Sequence, residues 1–165
     1  MPARQPLPSI WLVSDARNDA GIEAALRRLP RGSGLVFRHY HLPPAARAAR
    51  LARLARLCRR FGHRLEIAGE GYGPPAPHRR LATAHSLREI GRANRTRAEA
   101  VVLSPVFPTR SHPGAKTLGP VRFRLLAARA LVSVVALGGM TAVRARRLGW
   151  PRWAAIDAFG TKSDS

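Results

Sequence analysis

The stretch Leu103-Ser104-Pro105-Val106-Phe107-Pro108-Thr109-Arg110-Ser111-His112-Pro113-Gly114 decides how the rest of the chain is read. It follows the apolar run Val101-Val102-Leu103 and opens into a loop of proline, hydroxyl, histidine and glycine residues. Further on, Val132 to Leu137 is a second continuous apolar run, ended by Gly138-Gly139 and followed by Thr141, a helix N-cap candidate. Strand, hydroxyl- and glycine-rich loop, then helix is an anion-binding arrangement. Backbone N–H groups and hydroxyls converge there, and the helix N-terminus adds partial positive charge. Two such loops point to a phosphorylated small molecule as partner.

Working outward, short apolar runs alternate with helical patterns. Strands are expected at Ile10–Ser14, Gly34–Arg38, Arg64–Ala68, Leu81–Ala84, Ala100–Ser104, Val132–Leu137 and Ala154–Ala158. Helices are expected at Ala20–Leu29, from Pro43-Pro44 to Phe61, from Ser86 to about Arg97, at Val121–Ala130 and at Ala142–Leu148. In the longest, Leu51, Leu54, Leu57/Cys58 and Phe61 recur at helical spacing, with Arg50, Arg53, Arg56 and Arg60 on other faces. Ser86 with Glu89 fits a capping box. Residues 69–80, rich in glycine and proline, read as a loop.

Buried parallel strands read as unbroken apolar runs joined by helical crossovers, which is the pattern here. The residues leave two architectures, a (β/α) barrel and an open doubly wound sheet. No G-x-G-x-x-G follows Ile10–Ser14, so a dinucleotide fold has no support. Phosphate loops after the late strands are a barrel habit, whereas 165 residues fall below the ~200 usual for a full barrel. One domain is expected over residues 1–165, with its core in 10–159.

The formal net charge is +20, carried almost wholly by arginine, since Lys116 and Lys162 are the only lysines. The arginines are spread over every expected helix amid abundant alanine. That distribution reads as codon bias as much as a binding patch, and nucleic-acid binding is kept only as a minor alternative; the field does suit anionic small substrates. Cys58 is the only cysteine and lies among apolar neighbours, a core residue rather than a nucleophile. No run approaches the ~18 apolar residues of a membrane span, and no secretory signal is evident, so no membrane partner and a cytoplasmic location are expected.

Ala84-His85-Ser86-Leu87, then Leu103-Ser104-Pro105-Val106-Phe107-Pro108-Thr109-x-Ser111, then Ala136-Leu137-Gly138-Gly139-Met140-Thr141 together resemble the thiamine phosphate synthase / thiazole tautomerase superfamily of thiamine biosynthesis. The resemblance implies a TIM-type (β/α) barrel, here incomplete, with about seven parallel strands and the fourth βα unit missing. It implies that Thr109 and Ser111 hold pyrophosphate and thiazole phosphate, and that Gly138 and Gly139 bind the thiazole phosphate through backbone N–H groups. Arg38 matches a diphosphate-binding arginine, Ser86 a serine at the pyrimidine position, and His85 the proton-transfer histidine of the tautomerase branch. His85 and Ser86 are thus the catalytic candidates, and Arg38, Thr109, Ser111, Gly138 and Gly139 the substrate-binding ones.

The departures carry equal weight. The family's glutamine and lysine beside Arg38 are Val36 and Tyr40, and the lysine after Thr-x-Thr is His112. The aspartate that binds magnesium at the third strand is replaced by Ala68-Gly69, with Glu70 one position late. No metal ligand is therefore assigned, and magnesium is expected only if synthase activity is retained. The gap left by the missing unit is expected to be covered by residues 69–80 or by a second copy of the chain. Four functions follow as alternatives: a synthase with degraded activity, a metal-free tautomerase, a non-catalytic thiazole-phosphate binder, and a nucleic-acid binder.

Overall fold

The computed structural model describes residues 6–68, 81–110 and 113–159. These fall into two compact units, one running to Ala68 and including the segment from Ile156, the other ending at Ala155.

In the first unit β1 (Ile10–Val13), β2 (Gly34–Phe37) and β3 (Arg64–Ile67) lie parallel in the order β3-β2-β1. Every residue of β2 is buried, as the unbroken run Gly-Leu-Val-Phe requires of a strand covered on both faces. The crossovers are α1 (Ile22–Arg28) and α2 (Pro44–Phe61). Proline at the first turn of α2 loses no helical bond, and Gly62 at φ 69° ends the helix in the left-handed region that glycine enters without penalty. Leu54 and Cys58 of α2 pack with Leu12, Leu26, Leu35 and Phe37. Burial pushes the Cys58 thiol up to about 11, so it is a core residue and not a thiolate.

In the second unit β4 (Leu81–Ala84), β5 (Ala100–Leu103), β6 (Ser133–Ala136) and β7 (Trp153–Ala155) are parallel in the order β7-β6-β5-β4. The helices are α3 (Leu87–Arg95), α4 (Gly119–Ala127) and α5 (Ala142–Leu148). Ser86 and Thr141 cap α3 and α5, their hydroxyls accepting from Glu89 N and Arg144 N. Trp150 packs edge-on against Phe123 and donates its indole N–H to Val134 O, a packing role.

Seven parallel strands among the described residues, with helical crossovers, make the fold an incomplete (β/α) barrel, as the sequence implied. Most boundaries shift by a residue or two from expectation, and three of the shifts are the larger ones. A short 3-10 turn, Asp19–Gly21, takes the first residues given to α1. α4 begins at Gly119 because Pro120 suits the first turn, and stops at Ala127. Beyond it Asn94 holds the chain, donating to Arg129 O and accepting from Leu131 N. β7 ends at Ala155 because the Ile156 carbonyl is taken by Asn18 Nδ2 rather than by a strand. No helix of the described residues is long and apolar enough to cross a membrane.

Gly34 fits only because it lacks a side chain. A Cβ there would stand 2.1 Å from the Trp11 ring. Gly34→Ala is expected to cost about 2 kcal/mol or more by overpacking, read as a lower urea midpoint at unchanged slope.

Candidate functional site

In the second unit the expected residues gather at the C-terminal ends of β4, β5 and β6. The segment after β5 is stitched to the turn after β6: Val106 N donates to Leu137 O at 2.9 Å and Phe107 N to Gly138 O at 3.0 Å. Gly138 (φ 100°) and Gly139 (φ 58°) adopt left-handed conformations. A Cβ on Gly138 would lie 2.6 Å from Pro105 Cα, and one on Gly139 only 2.3 Å from Pro108 O. Glycine is required at both positions by conformation and by space. Among the described residues no acceptor pairs with the Gly138 or Gly139 N–H. Thr109, half-buried, follows Pro108 in the loop that passes over Gly139. Ser111 and His112 lie outside the described residues.

One basic residue at this turn escaped sequence reasoning. Arg144, on the first turn of α5, donates to Gly139 O and places its guanidinium 5.1 Å from the Phe107 ring centroid. Its signal was only its spacing from the cap Thr141, and among so many arginines that spacing is weak.

His85 follows β4 and is exposed. Its Nδ1 lies 2.8 Å from Ser104 O. A carbonyl only accepts, so Nδ1 carries the proton and Nε2 is left with its lone pair directed elsewhere. Ser86 is committed to the cap: its hydroxyl donates to Glu89 Oε2 at 2.9 Å and accepts from Glu89 N at 3.4 Å. Glu89 Oε2 also accepts from His85 N at 2.7 Å.

In the first unit Arg38 follows β2, half-buried, its guanidinium 5.8 Å from the Tyr40 ring centroid. Its Nε is buried with no hydrogen-bond partner among the described residues. Its backbone N–H donates to Ser14 Oγ at 2.7 Å. Ser14 Oγ also lies 2.8 Å from His39 Nδ1, and His39 Nε2 lies 2.7 Å from Asp19 Oδ1. Ser14 and His39 are fully buried. This chain of polar groups was not foreseen, because its members are far apart in sequence and none sits in a motif. Asp15, which follows β1, shapes a turn with Arg17 and Asn18.

Residues 81–156 match the family model of thiamine monophosphate synthase. Over 59 residues the chain is 37% identical to a putative thiamine-phosphate synthase 2 of Aquifex aeolicus (strain VF5), a match covering 36% of this chain and 32% of that relative. A solved thiamine phosphate pyrophosphorylase from Pyrococcus furiosus superposes with a TM-score of 0.71 over 90% of this chain and 85% of that one, at 19% identity. Residues 81–156, a little under half of the chain, are thus similar to the thiamine monophosphate synthase family. The structural likeness shows the fold, whereas the sequence match spans about a third of the curated relative. Within the superfamily match fall His85, Ser86, Thr109, Gly138 and Gly139; Arg38 lies before it.

Beside the Arg38 segment, Glu23 takes Arg50 through both guanidinium ends and Arg53 Nε at 3.1 Å. The Arg50 hydrogen bond holds the Glu23 carboxyl below its ordinary 4.5. A depressed folded pKa contributes stability that is fully present above about 4.5 and is lost as pH falls through the folded value. Glu23→Gln should therefore cost about 1.5–3 kcal/mol at pH 7 and much less near pH 3. Urea melts of both proteins across that range measure the difference.

Proposed function

We propose that the second unit binds a thiazole phosphate at the ends of β5 and β6, and that the protein is a synthase-type member of the superfamily. It would join hydroxymethylpyrimidine diphosphate to thiazole phosphate with weakened turnover. The supporting observation is the Gly138-Gly139 turn: two N–H groups without acceptors among the described residues, next to the Thr109 loop and the Arg144 guanidinium. Backbone donors of this kind stabilise a phosphate without side-chain rearrangement.

In the reaction the pyrimidine C–O bond breaks, the electron pair leaving with pyrophosphate. The thiazole nitrogen then forms the new C–N bond. The protein's part is to hold both reactants in register and to meet the departing charge with cations. Arg38 is the diphosphate-binding candidate of the first unit.

Magnesium, which the resemblance implies, does not fit the described end of β3. Ala68 is buried, and its carbonyl accepts from Arg47 Nη2 at 3.1 Å; Arg47 Nε donates to Arg38 O at 3.0 Å. A guanidinium at that strand end has the wrong charge for a site built on hard oxygen ligands. Glu70 lies outside the described residues. No step is assigned to the metal, and turnover is expected to depend little on it.

A second reading, the tautomerase, is favoured by His85. Its Nδ1–H is fixed on Ser104 O, which leaves Nε2 as a proton acceptor and then, once protonated, a donor.

Titration calorimetry with thiazole phosphate, with and without the pyrimidine diphosphate and magnesium, tests these readings. Thiazole phosphate is expected to bind alone. Gly139→Val should lose that binding along with the local packing of the turn, since its Cβ meets Pro108 O, and Thr109→Val should weaken it roughly five-fold, about 1 kcal/mol, with native circular dichroism. Unchanged affinity in both variants would sink the site assignment. His85→Asn should bind normally and stop thiazole proton exchange. Robust magnesium-dependent formation of thiamine phosphate would instead overturn the weak-turnover reading and point to Glu70.

A further inference from the structure

Three side chains in the first unit meet without any role in the reading above. Asp19, in the short 3-10 turn after β1, places Oδ1 2.7 Å from His39 Nε2 and Oδ2 4.0 Å from His41 Nε2. One donor atom from each of the three lies within 4.8 Å of the other two. We propose that Asp19, His39 and His41 form a binding site for a divalent transition cation of the zinc class, set just beyond the C-terminal end of β2. This rests on no residue of the thiazole-phosphate reading and stands or falls separately from it.

The donor set selects the ion. Two imidazoles and one carboxylate suit zinc, nickel or cobalt, whereas magnesium prefers oxygen alone. Metal–ligand bonds of ~2.0–2.2 Å place neighbouring donors some 3–3.5 Å apart, within rotamer adjustment of the spacing seen.

The surroundings orient the ligands. His39 is buried, its ring stacked on Phe37 at 4.6 Å between centroids, and its Nδ1 is held by Ser14 Oγ, which also accepts Arg38 N–H. Holding one ring nitrogen while the other faces the ion is the outer-shell arrangement that raises affinity at histidine metal sites. His39 sits at φ 42°, a left-handed conformation that a non-glycine residue keeps only where its surroundings hold it. His41 is 34% exposed, which leaves the ion a way in.

Arg50 contacts the same Asp19 carboxylate, but both ends of its guanidinium also meet Glu23. Its bond is to Oδ1, so Asp19 Oδ2, the oxygen that faces His41, is the one open to the ion. Without metal, the proton between His39 Nε2 and Asp19 satisfies both groups. When zinc takes Nε2 the ring proton is carried on Nδ1, where Ser14 Oγ accepts it.

The test is calorimetry of the full chain with zinc chloride and, separately, magnesium chloride, with cobalt(II) absorbance as a spectroscopic reading. One equivalent of zinc is expected to bind and magnesium is not. His41→Ala, at an exposed position, and Asp19→Asn should each weaken zinc by more than about ten-fold and remove the cobalt band. His85→Ala is the control for an exposed histidine elsewhere in the chain and should retain the bound equivalent. Absence of zinc binding, equal binding of magnesium, or zinc binding unchanged in both His41→Ala and Asp19→Asn would each overturn the proposal.

Discussion

The second unit depends on how closely two loops approach at the ends of β5 and β6. Pro105 Cα and Pro108 O come so near the following turn that neither Gly138 nor Gly139 has space for a Cβ. The approach is fixed by paired backbone bonds, Val106 N to Leu137 O and Phe107 N to Gly138 O, which continue the strand pairing past the strand ends. It leaves two glycine N–H groups beside the loop that carries Thr109. Under the proposed reading, phosphate binding in this half would rest on backbone geometry more than on side-chain identity.

The first unit is organised by a buried polar chain. A buried histidine is costly unless both ring nitrogens are satisfied, and His39 meets that condition through Ser14 and Asp19. Asp19 in turn is steadied by Arg50, whose other partner is Glu23. One arginine of the α2 row thus faces inward to neutralise two carboxylates. Arg47, three residues earlier, reaches two backbone carbonyls and packs over Phe37 at 5.1 Å. The large positive charge of the chain is in part structural, with selected guanidiniums serving as hydrogen-bond hubs.

Helix α2, the capping box of Ser86 with Glu89, the cap at Thr141 and the apolar runs of β2 and β5 could all be read directly, since each follows from local spacing and composition. The ends of α4 and β7 could not. Asn94 holds the chain beyond α4, and Asn18 takes the Ile156 carbonyl beyond β7, and both partners are distant in sequence. Ser86 read equally well as a cap and as a site residue; its hydroxyl is bound at both ends by Glu89.

The choice of an incomplete (β/α) barrel over an open sheet came from the family resemblance, whereas the chain's own pattern determined the alternation of strands and helices and the glycine- and proline-bearing loops after β5 and β6. These follow from periodicity and from glycine and proline placed at strand ends, which are short-range properties. Only the tertiary structure decided that Asp19, His39 and His41 share one cluster, that Arg47 holds the end of β3 where the resemblance implies a carboxylate, and which tautomer His85 presents. Those features are contacts between residues brought together by strand pairing and helix packing. Local pattern carries no record of which side chain will lie opposite another once the strands are in register.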